Sequence, residues 1–300
     1  MGRIIALTTL VALGLGLLLY PNASNWFALR NQASELTGYA RAVEAMSTDA
    51  QNEMLARAEA YNDELRRGRT GQDDSTYAEY KSHLSPQPGD VMADVTIPDL
   101  RITLPIYHGT SDDVLHKGAG HLFGTSLPVG GTGTHAVISA HSGLASAQLF
   151  THLEDLDVGD LFSISVVGRR LVYEIDHIEA VLPDDISKLG IDPDKDYVTL
   201  LTCTPTAVNS HRLLVRGHRV QPLTAAQEEQ VIAGRNVNPG FPWWAVQWGG
   251  GTLAAFVLGK VTNRRAPKPA KRQAKVKRRP QASPFPAGAV AVAGWWHRGY

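Results

Sequence analysis

Tyr197-Val-Thr-Leu-Leu-Thr-Cys-Thr-Pro205, followed by His211-Arg-Leu-Leu-Val-Arg-Gly-His-Arg-Val220, contains the clearest strand signal in the chain. Short apolar runs bounded by Pro and polar loop residues are typical of strands, so we predict strands at Tyr197–Thr202 and Leu213–Val220. Upstream runs of the same kind predict further strands at Val91–Ile97, Leu100–Ile106, Thr134–Ala140, Leu161–Val167 and Leu171–Val181. Gly and Pro punctuate the runs and long helical crossovers are lacking. The pattern therefore predicts a mainly β fold, a closed or nearly closed barrel of about eight strands over residues 90–222.

Cys203, at the end of the first quoted strand, is the only cysteine of the chain. One cysteine excludes an intramolecular disulfide and a zinc site built from several cysteines. Cys203 is therefore either a buried spectator or a nucleophile. Nine residues later Arg212 begins the next strand, where a β-hairpin can bring it back beside Cys203 to stabilise a thiolate or an oxyanion. Arg216 is four residues further on, on the same strand face, and is the main rival for that role.

A cysteine nucleophile needs a proton partner, which is usually a histidine. The chain has 11 histidines. His141 follows a predicted strand, the same kind of position as that of Cys203. His135, His211 and His218 are the other candidates, and residue order alone does not separate the four.

The region before the barrel, residues 24–89, has a helical pattern and then a loop. Apolar residues recur every three or four positions over residues 24–67, and a helix restart is expected at Ser47-Thr48-Asp49, with Thr48 or Asp49 as the cap. Residues 68–89 predict a loop with one helical turn around Tyr77–His83. Inside the barrel, a short helix is expected at Leu144–Leu153. Residues 223–240 are expected to be a linker.

Two apolar segments suggest membrane contact. Residues 4–20 carry no charge and would span about 26 Å as a helix, slightly less than a bilayer core of about 30 Å. Residues 1–23 are therefore a signal peptide or an N-terminal membrane anchor. Residues 241–259 are also free of charge and begin with an aromatic cluster suited to a headgroup interface, which predicts a C-terminal transmembrane helix, although three consecutive glycines weaken it.

The charge of the chain is balanced overall and uneven along its length. Of 29 Lys and Arg, ten lie between Lys260 and Arg279 and two more near the ends, so residues 21–259 carry 17 basic against all 29 acidic residues, a net charge of −12. So acidic a middle argues against nucleic-acid binding, although the basic run alone would also suit a nucleic-acid tail. Under the positive-inside rule, residues 260–300 are a basic cytoplasmic tail and the middle lies outside the cell.

Several motifs resemble one family. Thr199-Leu-Leu-Thr-Cys203 resembles the Thr-Leu-x-Thr-Cys signature of sortases, the membrane-anchored cysteine transpeptidases of Gram-positive bacteria. The stretch 202–219 is similar to the corresponding strand–loop–strand of class C, the pilin-polymerising sortases. Leu104–Gly109, Leu115–Gly130 and Ile138–Leu144 resemble that class in the same order. Four motifs in sequence order are not a chance match.

The resemblance implies a sortase-like eight-stranded β-barrel and a transpeptidase. The family's catalytic Cys, His and Arg fall on Cys203, His141 and Arg212. The implied reaction cleaves an Leu-Pro-x-Thr-Gly-like sorting signal at Thr–Gly and joins the acyl group to a pilin lysine amine. The implied partners are pilins and surface proteins that carry such signals. The implied location is the cell membrane, with the catalytic domain outside.

Many class C sortases carry a lid with an Asp-Pro-aromatic motif before the barrel. Here the equivalent stretch is Asp73-Asp74-Ser75-Thr76-Tyr77, without Pro. Asp74 can pair with Arg212 and Tyr77 can cover Cys203, or the stretch is a plain solvated loop. Neither a cofactor nor a metal is expected. The acidic residues Glu154, Asp155, Asp157 and Asp160 suit a solvated loop, with a calcium site as the alternative.

Three other functions remain open. A housekeeping sortase would join surface proteins to a peptidoglycan stem-peptide amine. A non-catalytic, membrane-tethered β-barrel binding module would carry an inert Cys203. A hydrolytic cysteine peptidase would release acid product even when amine is abundant.

Overall fold

The computed structural model describes residues 1–68, 74–86, 91–235 and 238–265 of the 300-residue chain, with the backbone alone for residues 74, 75 and 263–265. Eight strands form the centre of this structure. They are β1 (Val91–Ile97), β2 (Ile102–His108), β3 (Ala119–His121), β4 (Thr134–Ser139), β5 (Leu161–Val166), β6 (Arg169–Val181), β7 (Asp196–Thr204) and β8 (His211–Arg219). The helices are α1 (Gly2–Ala45), α2 (Thr48–Arg66), α3 (Asp74–Ser82), α4 (Asp112–Leu115), α5 (Ala225–Ala233) and α6 (Trp243–Arg265).

The strands close into a barrel in the order β1-β2-β3-β4-β7-β8-β6-β5. The pairs β2/β3 and β4/β7 are parallel, and the others are antiparallel. The predicted mainly β barrel is confirmed. The three-residue strand β3 was missed because so short a run carries no periodicity.

Large side chains fill the barrel interior. Phe162 and Tyr173 are fully buried and stack with ring centroids 5.5 Å apart. Their packing leaves no room for a side chain at position 217, where a Cβ atom would lie 2.6 Å from the Phe162 ring. Gly217 therefore lets β8 approach the aromatic layer closely.

The N-terminal helices support one side of the barrel. α1 runs continuously from residue 2 to residue 45, through Pro21. The predicted restart is confirmed, but the cap is Ser47, whose hydroxyl accepts from the Ala50 N–H at 3.2 Å; Thr48 and Asp49 already lie inside α2. Leu55 and Ala58 of α2 are buried in the main core, which fastens this helix to the barrel.

α1 and α6 lie side by side and antiparallel. The Trp248 indole N–H donates to the Ala12 carbonyl at 3.0 Å, and the Trp26 indole N–H donates to the Gly240 carbonyl at 2.9 Å. A Cβ atom at Gly251 would lie 2.6 Å from the Leu15 side chain, so one of the three consecutive glycines serves close packing between the helices. The helix continues through all three.

One helix in the described part of the chain, α1, is long and apolar enough to cross a membrane by length and composition. The predicted second span, residues 241–259, coincides with most of α6, which is a helix but does not meet that criterion. Residues 266–300, which contain most of the predicted basic tail, lie outside the described residues.

Three other segments differ from expectation. The predicted helix at Leu144–Leu153 is wrong: the segment forms turns that end in a 3₁₀ turn at Leu153–Asp155, because Phe150 is buried and its N–H donates to the His141 carbonyl at 3.0 Å. The single helical turn expected near Tyr77 is part of the nine-residue helix α3. The expected linker 223–240 contains α5, which begins with a capping box formed by Thr224 and Gln227.

Candidate active site

Cys203 lies near the end of β7, partly buried. Antiparallel pairing places it directly opposite Arg212 of β8, as the hairpin spacing predicts. Directly opposed residues have Cβ atoms about 4.5–5.5 Å apart, so the two side chains are close neighbours. The Cys203 carbonyl accepts a hydrogen bond from the Ser142 hydroxyl at 2.9 Å, which ties this strand end to the one beside it.

His141 follows the end of β4, the parallel neighbour of β7. The register pairs Ser139 with Leu201, and continuing it by two residues places His141 level with Cys203. Two further bonds hold this alignment: the Ala140 N–H donates to the Leu201 carbonyl at 3.1 Å, and the Thr202 hydroxyl donates to the Ala140 carbonyl at 2.8 Å. The crossover between β4 and β7 thus brings together two residues that are 62 positions apart in the sequence.

The surroundings of His141 favour the neutral imidazole. Partial burial lowers its pKa below the ordinary value, and the nearby His116 lowers it further, while the Asp112 carboxylate opposes both effects. Asp112 Oδ1 is 3.7 Å from His141 Nε2. A neutral ring nitrogen is the form that can accept a proton from a thiol.

Arg212 and its rival Arg216 have different surroundings. Arg212 Nη1 donates to the carbonyl of Asn209 in the loop before β8 (3.3 Å) and to that of His211, the first residue of β8 (3.2 Å), so its guanidinium stays at the same barrel end as Cys203. Arg216 lies opposite Thr199, about 13 Å along the strand. Its Nε donates to Asp176 at 2.9 Å.

The Arg216 guanidinium also lies over the Tyr197 ring, 4.2 Å from its centroid. These contacts hold Arg216 away from Cys203, so the geometry favours Arg212 as the arginine of the site.

The other candidate histidines are less well placed. Both ring nitrogens of buried His135 have partners, the Gly190 carbonyl at 2.9 Å and the Thr199 hydroxyl at 2.7 Å. His218 pairs with Tyr197, at the far end of the β7–β8 ladder. His211 pairs with Thr204, next to Cys203, but its Nδ1 contacts the Ser210 hydroxyl at 2.9 Å. Of the four, His141 is the one whose backbone is aligned with Cys203 across β4 and β7.

The predicted lid residues lie on or before α3. Asp73 is outside the described residues, and Asp74 begins α3 with its backbone alone described. The Tyr77 ring packs against Phe123 and Tyr80, at centroid distances of 5.0 and 5.7 Å. A lid over Cys203 therefore stays a prediction.

Sequence reasoning missed Asp112 and His116, which the structure brings against His141. Asp112 belongs to α4, and His116 directly follows that helix. The His116 and His141 rings are in edge contact, with centroids 5.2 Å apart. The signal available was the four-residue spacing of Asp112 and His116, which puts both on one side of a helical turn, but nothing local indicates that this turn meets His141.

Comparison with known proteins agrees with the geometry. The family model of the sortase domain matches residues 95–220. The crystal structure of sortase C1 from Streptococcus agalactiae is 40% identical in sequence, with a TM-score of 0.62, over 63% of this chain and 100% of that chain. The chain belongs to the sortase family. Sortases are cysteine transpeptidases, and Cys203 is the single cysteine that the chain offers for that chemistry.

Other sortases are similar over comparable lengths. A lid mutant of sortase A from Corynebacterium diphtheriae is 46% identical, with a TM-score of 0.57, over 61% of this chain and 100% of that chain. Sortase C from Clostridium perfringens, solved with the C-terminal cell wall sorting motif, is 41% identical with a TM-score of 0.56, over 63% of this chain and 98% of that chain.

Among curated relatives, Sortase A of Streptococcus agalactiae is 33% identical over 130 residues, which are 42% of this chain and 51% of that protein. This chain thus spans about half the length of that relative.

Proposed function

We propose that this chain is a pilin-polymerising, class C sortase whose catalytic residues are Cys203, His141 and Arg212. The observation that carries the proposal is that Cys203 on β7, Arg212 on β8 and His141 just after β4 lie at one end of the barrel, where these three strands are neighbours. Support for the class comes from the solved sortases C of two species, 40% and 41% identical to this chain over nearly their whole length.

In the first half of the reaction, the Cys203 sulfur attacks the Thr–Gly carbonyl carbon of a sorting signal. His141, neutral before the reaction, accepts the thiol proton and becomes imidazolium. As the tetrahedral intermediate collapses, the C–N bond breaks and His141 gives its proton to the leaving glycine amine. The products are a thioacyl enzyme and the released C-terminal tail.

Arg212 stabilises the negative charge that develops on the carbonyl oxygen. Its backbone lies opposite that of Cys203, which puts its guanidinium within reach of the oxygen of the attacked carbonyl. Removing a single donor of this kind from an oxyanion site costs about 10²–10³-fold in rate. Arg216, engaged with Asp176, has no part in this step.

In the second half, a lysine amine of the next pilin attacks the thioester carbonyl. His141 accepts a proton from the amine and returns it to the departing Cys203 thiolate, so an isopeptide bond forms and the enzyme is regenerated. Substrates of this kind are themselves tethered to the membrane. α1 suits an enzyme that works beside them, because it is membrane-capable.

For the topology, we propose that α1 and α6 cross the membrane together, with both termini inside and residues 24–240 outside, unless residues 1–23 are removed. The antiparallel packing of the two helices supports this arrangement, as does the run of ten basic residues from Lys260 to Arg279. Protease added to intact protoplasts should digest the middle and spare a tag placed after Arg279. Digestion of that tag would contradict the two-span arrangement.

A housekeeping sortase is the second candidate, favoured by the 33% identity to a curated Sortase A. Its chemistry at Cys203 would be the same, and its acceptor would be a peptidoglycan stem-peptide amine. The two functions therefore differ only in the acceptor that resolves the thioester.

Mass spectrometry of the full chain with a sorting-signal peptide tests the proposal in two stages. A thioacyl adduct on Cys203, absent from Cys203→Ala, tests the transpeptidase chemistry. The adduct is then offered a lysine-bearing pilin or a stem-peptide amine. Resolution by the pilin supports class C, and resolution by the stem peptide alone supports the housekeeping function. Absence of any adduct would contradict both.

A further inference from the structure

Asp112, His116 and His141 form a cluster beside the proposed active site. One possible metal-ligand atom from each of the three side chains lies within 4.8 Å of the other two. Asp112 Oδ1 is central: it lies 3.7 Å from His116 Nδ1, on the ring whose other nitrogen, Nε2, is the proposed ligand atom, and 3.7 Å from His141 Nε2. The cluster joins α4 to the end of β4, two elements separated by β3 in the chain.

The three groups converge without satisfying one another. His141 Nε2 is buried and has no hydrogen-bond partner among the described residues, and 3.7 Å to the carboxylate is too long for a hydrogen bond. The His116 Nδ1–H donates to the Asp112 backbone carbonyl at 2.8 Å, which leaves a lone pair on Nε2 in the neutral ring. In a metal-binding histidine, the ring nitrogen that does not bind the metal usually donates its N–H to a carbonyl or carboxylate, and this bond orients the ring.

Two imidazoles and one carboxylate are ligands that suit a divalent transition metal such as zinc. Calcium and magnesium prefer sets made entirely of oxygen. Three protein ligands leave one tetrahedral position for water, as in open zinc sites. Ligands of zinc lie about 2.0–2.2 Å from the metal and about 3.4 Å from one another, so the cluster must close and the His116 ring must bring its Nε2 towards Asp112 Oδ1. The exposed side chains of Asp112 (85%) and His116 (51%) have the freedom to do so.

We propose that Asp112, His116 and His141 bind a divalent transition metal, with Zn²⁺ as the probe, and that this binding reversibly inhibits the enzyme. The inhibitory part rests on the proposed function, in which His141 carries a proton in both halves of the reaction. An imidazole whose nitrogen is bound to a metal cation cannot take up a second proton and become imidazolium. The metal therefore removes the proton partner while it leaves Cys203 in place.

The binding half is tested without catalysis. The untagged full chain in detergent micelles is dialysed against buffered Zn²⁺, and bound zinc per chain is measured. We expect the wild-type chain to bind one zinc at this site, which excess Ca²⁺ does not displace. Asp112→Asn and His116→Ala should each lower the zinc affinity at least about tenfold. His152→Ala is the matched control, because His152 is as exposed as His116 and also faces an aspartate, Asp155, at 3.2 Å.

Two results overturn the binding site. One is unchanged zinc affinity in both Asp112→Asn and His116→Ala. The other is loss of binding in Cys203→Ala, because zinc would then be held by the thiol.

The inhibitory half is tested by thioacyl formation with and without Zn²⁺. For each protein, the rate without Zn²⁺ is divided by the rate with Zn²⁺. Comparing this ratio between wild type and His116→Ala removes any effect of the substitution on the basal rate. We expect zinc to slow wild type at least about tenfold more than the variant. Equal ratios overturn the inhibition. If zinc binds at the cluster but the metal-free enzyme forms no thioacyl adduct, the proposed function is contradicted and the metal site is not.

Discussion

The Asp196 carboxylate and the His141 imidazole lie at opposite ends of the barrel and differ in how their polar atoms are paired. At the end where β4 and β7 begin, here called the Asp196 end, the Asp196 carboxylate accepts from the Gly131 N–H at 2.8 Å and from the Tyr173 hydroxyl at 3.2 Å. At the end where those strands finish, the Cys203 end, the buried His141 Nε2 has no hydrogen-bond partner in the described part of the chain. Arg219 Nε, at the Asp196 end, is also unpaired within the described ranges, so an unpaired atom alone does not mark a site. The distinction of His141 is that its unpaired nitrogen belongs to a titratable ring aligned with a cysteine.

Cavity size alone would have suggested the Asp196 end as the active site. A cleft of about 900 Å³ opens at the Asp196 end, lined by Thr134, Asp196 and Arg219 among others. Burial raises the pKa of Asp196, and its hydrogen bonds work against that rise. The described residues that line this cleft include no cysteine, so it lacks the nucleophile that a sortase needs. Chemistry, rather than volume, therefore favours the Cys203 end as the site of the proposed reaction.

The largest expected effect is at the Cys203 end. Cys203→Ala should abolish thioacyl formation, and His141→Ala or Arg212→Ala should each lower its rate at least about 10²-fold, the scale of losing a proton partner or an oxyanion donor. The matched control is Arg216→Ala, with folding checked by thermal unfolding because its ion pair with Asp176 is lost. An inactive Arg216→Ala beside a near-normal Arg212→Ala would show that the arginine is assigned wrongly.

His121, on β3 in the side of the barrel, should make the free energy of unfolding depend on pH. Burial lowers the pKa of His121 to about 4, so this residue is neutral in the folded protein and has a pKa near 6.5 when unfolded. Because the folded-state pKa is lowered, the stability that neutral His121 contributes is fully present above about pH 6.5 and is lost as the pH falls towards 4. The loss is on the order of 3 kcal/mol. Denaturant unfolding of the full chain in micelles, at pH 7 and pH 4.5, measures the loss.

His121→Gln is the comparison for this prediction, since Gln keeps a donor and an acceptor but does not titrate in this range. The variant should lose less stability between the two pH values than wild type does. Equal losses in both proteins would mean that other groups cause the acid sensitivity.

At the Asp196 end, a substitution should change stability and leave the rate alone. Asp196→Ala leaves the Gly131 N–H and the Tyr173 hydroxyl without their acceptor. The expected loss is about 1–3 kcal/mol of unfolding free energy. Thioacyl formation by the folded fraction should stay within about twofold of wild type. A rate loss as large as that of Arg212→Ala would break the contrast between the ends.

The smallest expected effect concerns the lid. If Asp74 or Tyr77 helps to cover Cys203, then Asp74→Ala or Tyr77→Ala should raise the rate of Cys203 modification by a small thiol reagent about tenfold, which corresponds to about 1.4 kcal/mol of lost closure. Lys81→Ala is a control, because Lys81 lies over the Tyr77 ring at 5.1 Å on the same helix. Equal modification rates in wild type and both lid variants would mean that access to Cys203 is controlled elsewhere.

The signals that worked from sequence were local ones. Tyr197–Thr202 and Leu213–Val220 are strands because of their own composition, and the short loop between them returns Arg212 to Cys203. The restart after α1 also follows from a local pattern, although the two predicted capping residues lie one and two positions after the observed cap, Ser47. In each case the partners lie within about ten residues, where chain connectivity alone limits their positions.

Signals that depend on distant partners failed or stayed open. The apolar residues of Leu144–Leu153 suit a helix, but burial of Phe150 against the end of β4 selects turns. Arg212 was preferred from the hairpin spacing and the family resemblance, but its rival Arg216 was set aside only by the contacts of Arg216 to Asp176 and Tyr197. Propensity is a weak term that packing overrides.

The amino-acid sequence alone specified a β-barrel, a lone cysteine near a strand end, an arginine opposite it and a charge-free N-terminal segment. The residue pattern left four histidines open and the family resemblance named His141; only the tertiary structure aligned His141 with Cys203 and brought Asp112 and His116 against it. The physical reason is that β4 and β7 are parallel, so their pairing requires a long crossover whose register no local pattern specifies. Hairpin neighbours are set by the turn that joins them, whereas parallel neighbours are set by the closure of the whole barrel.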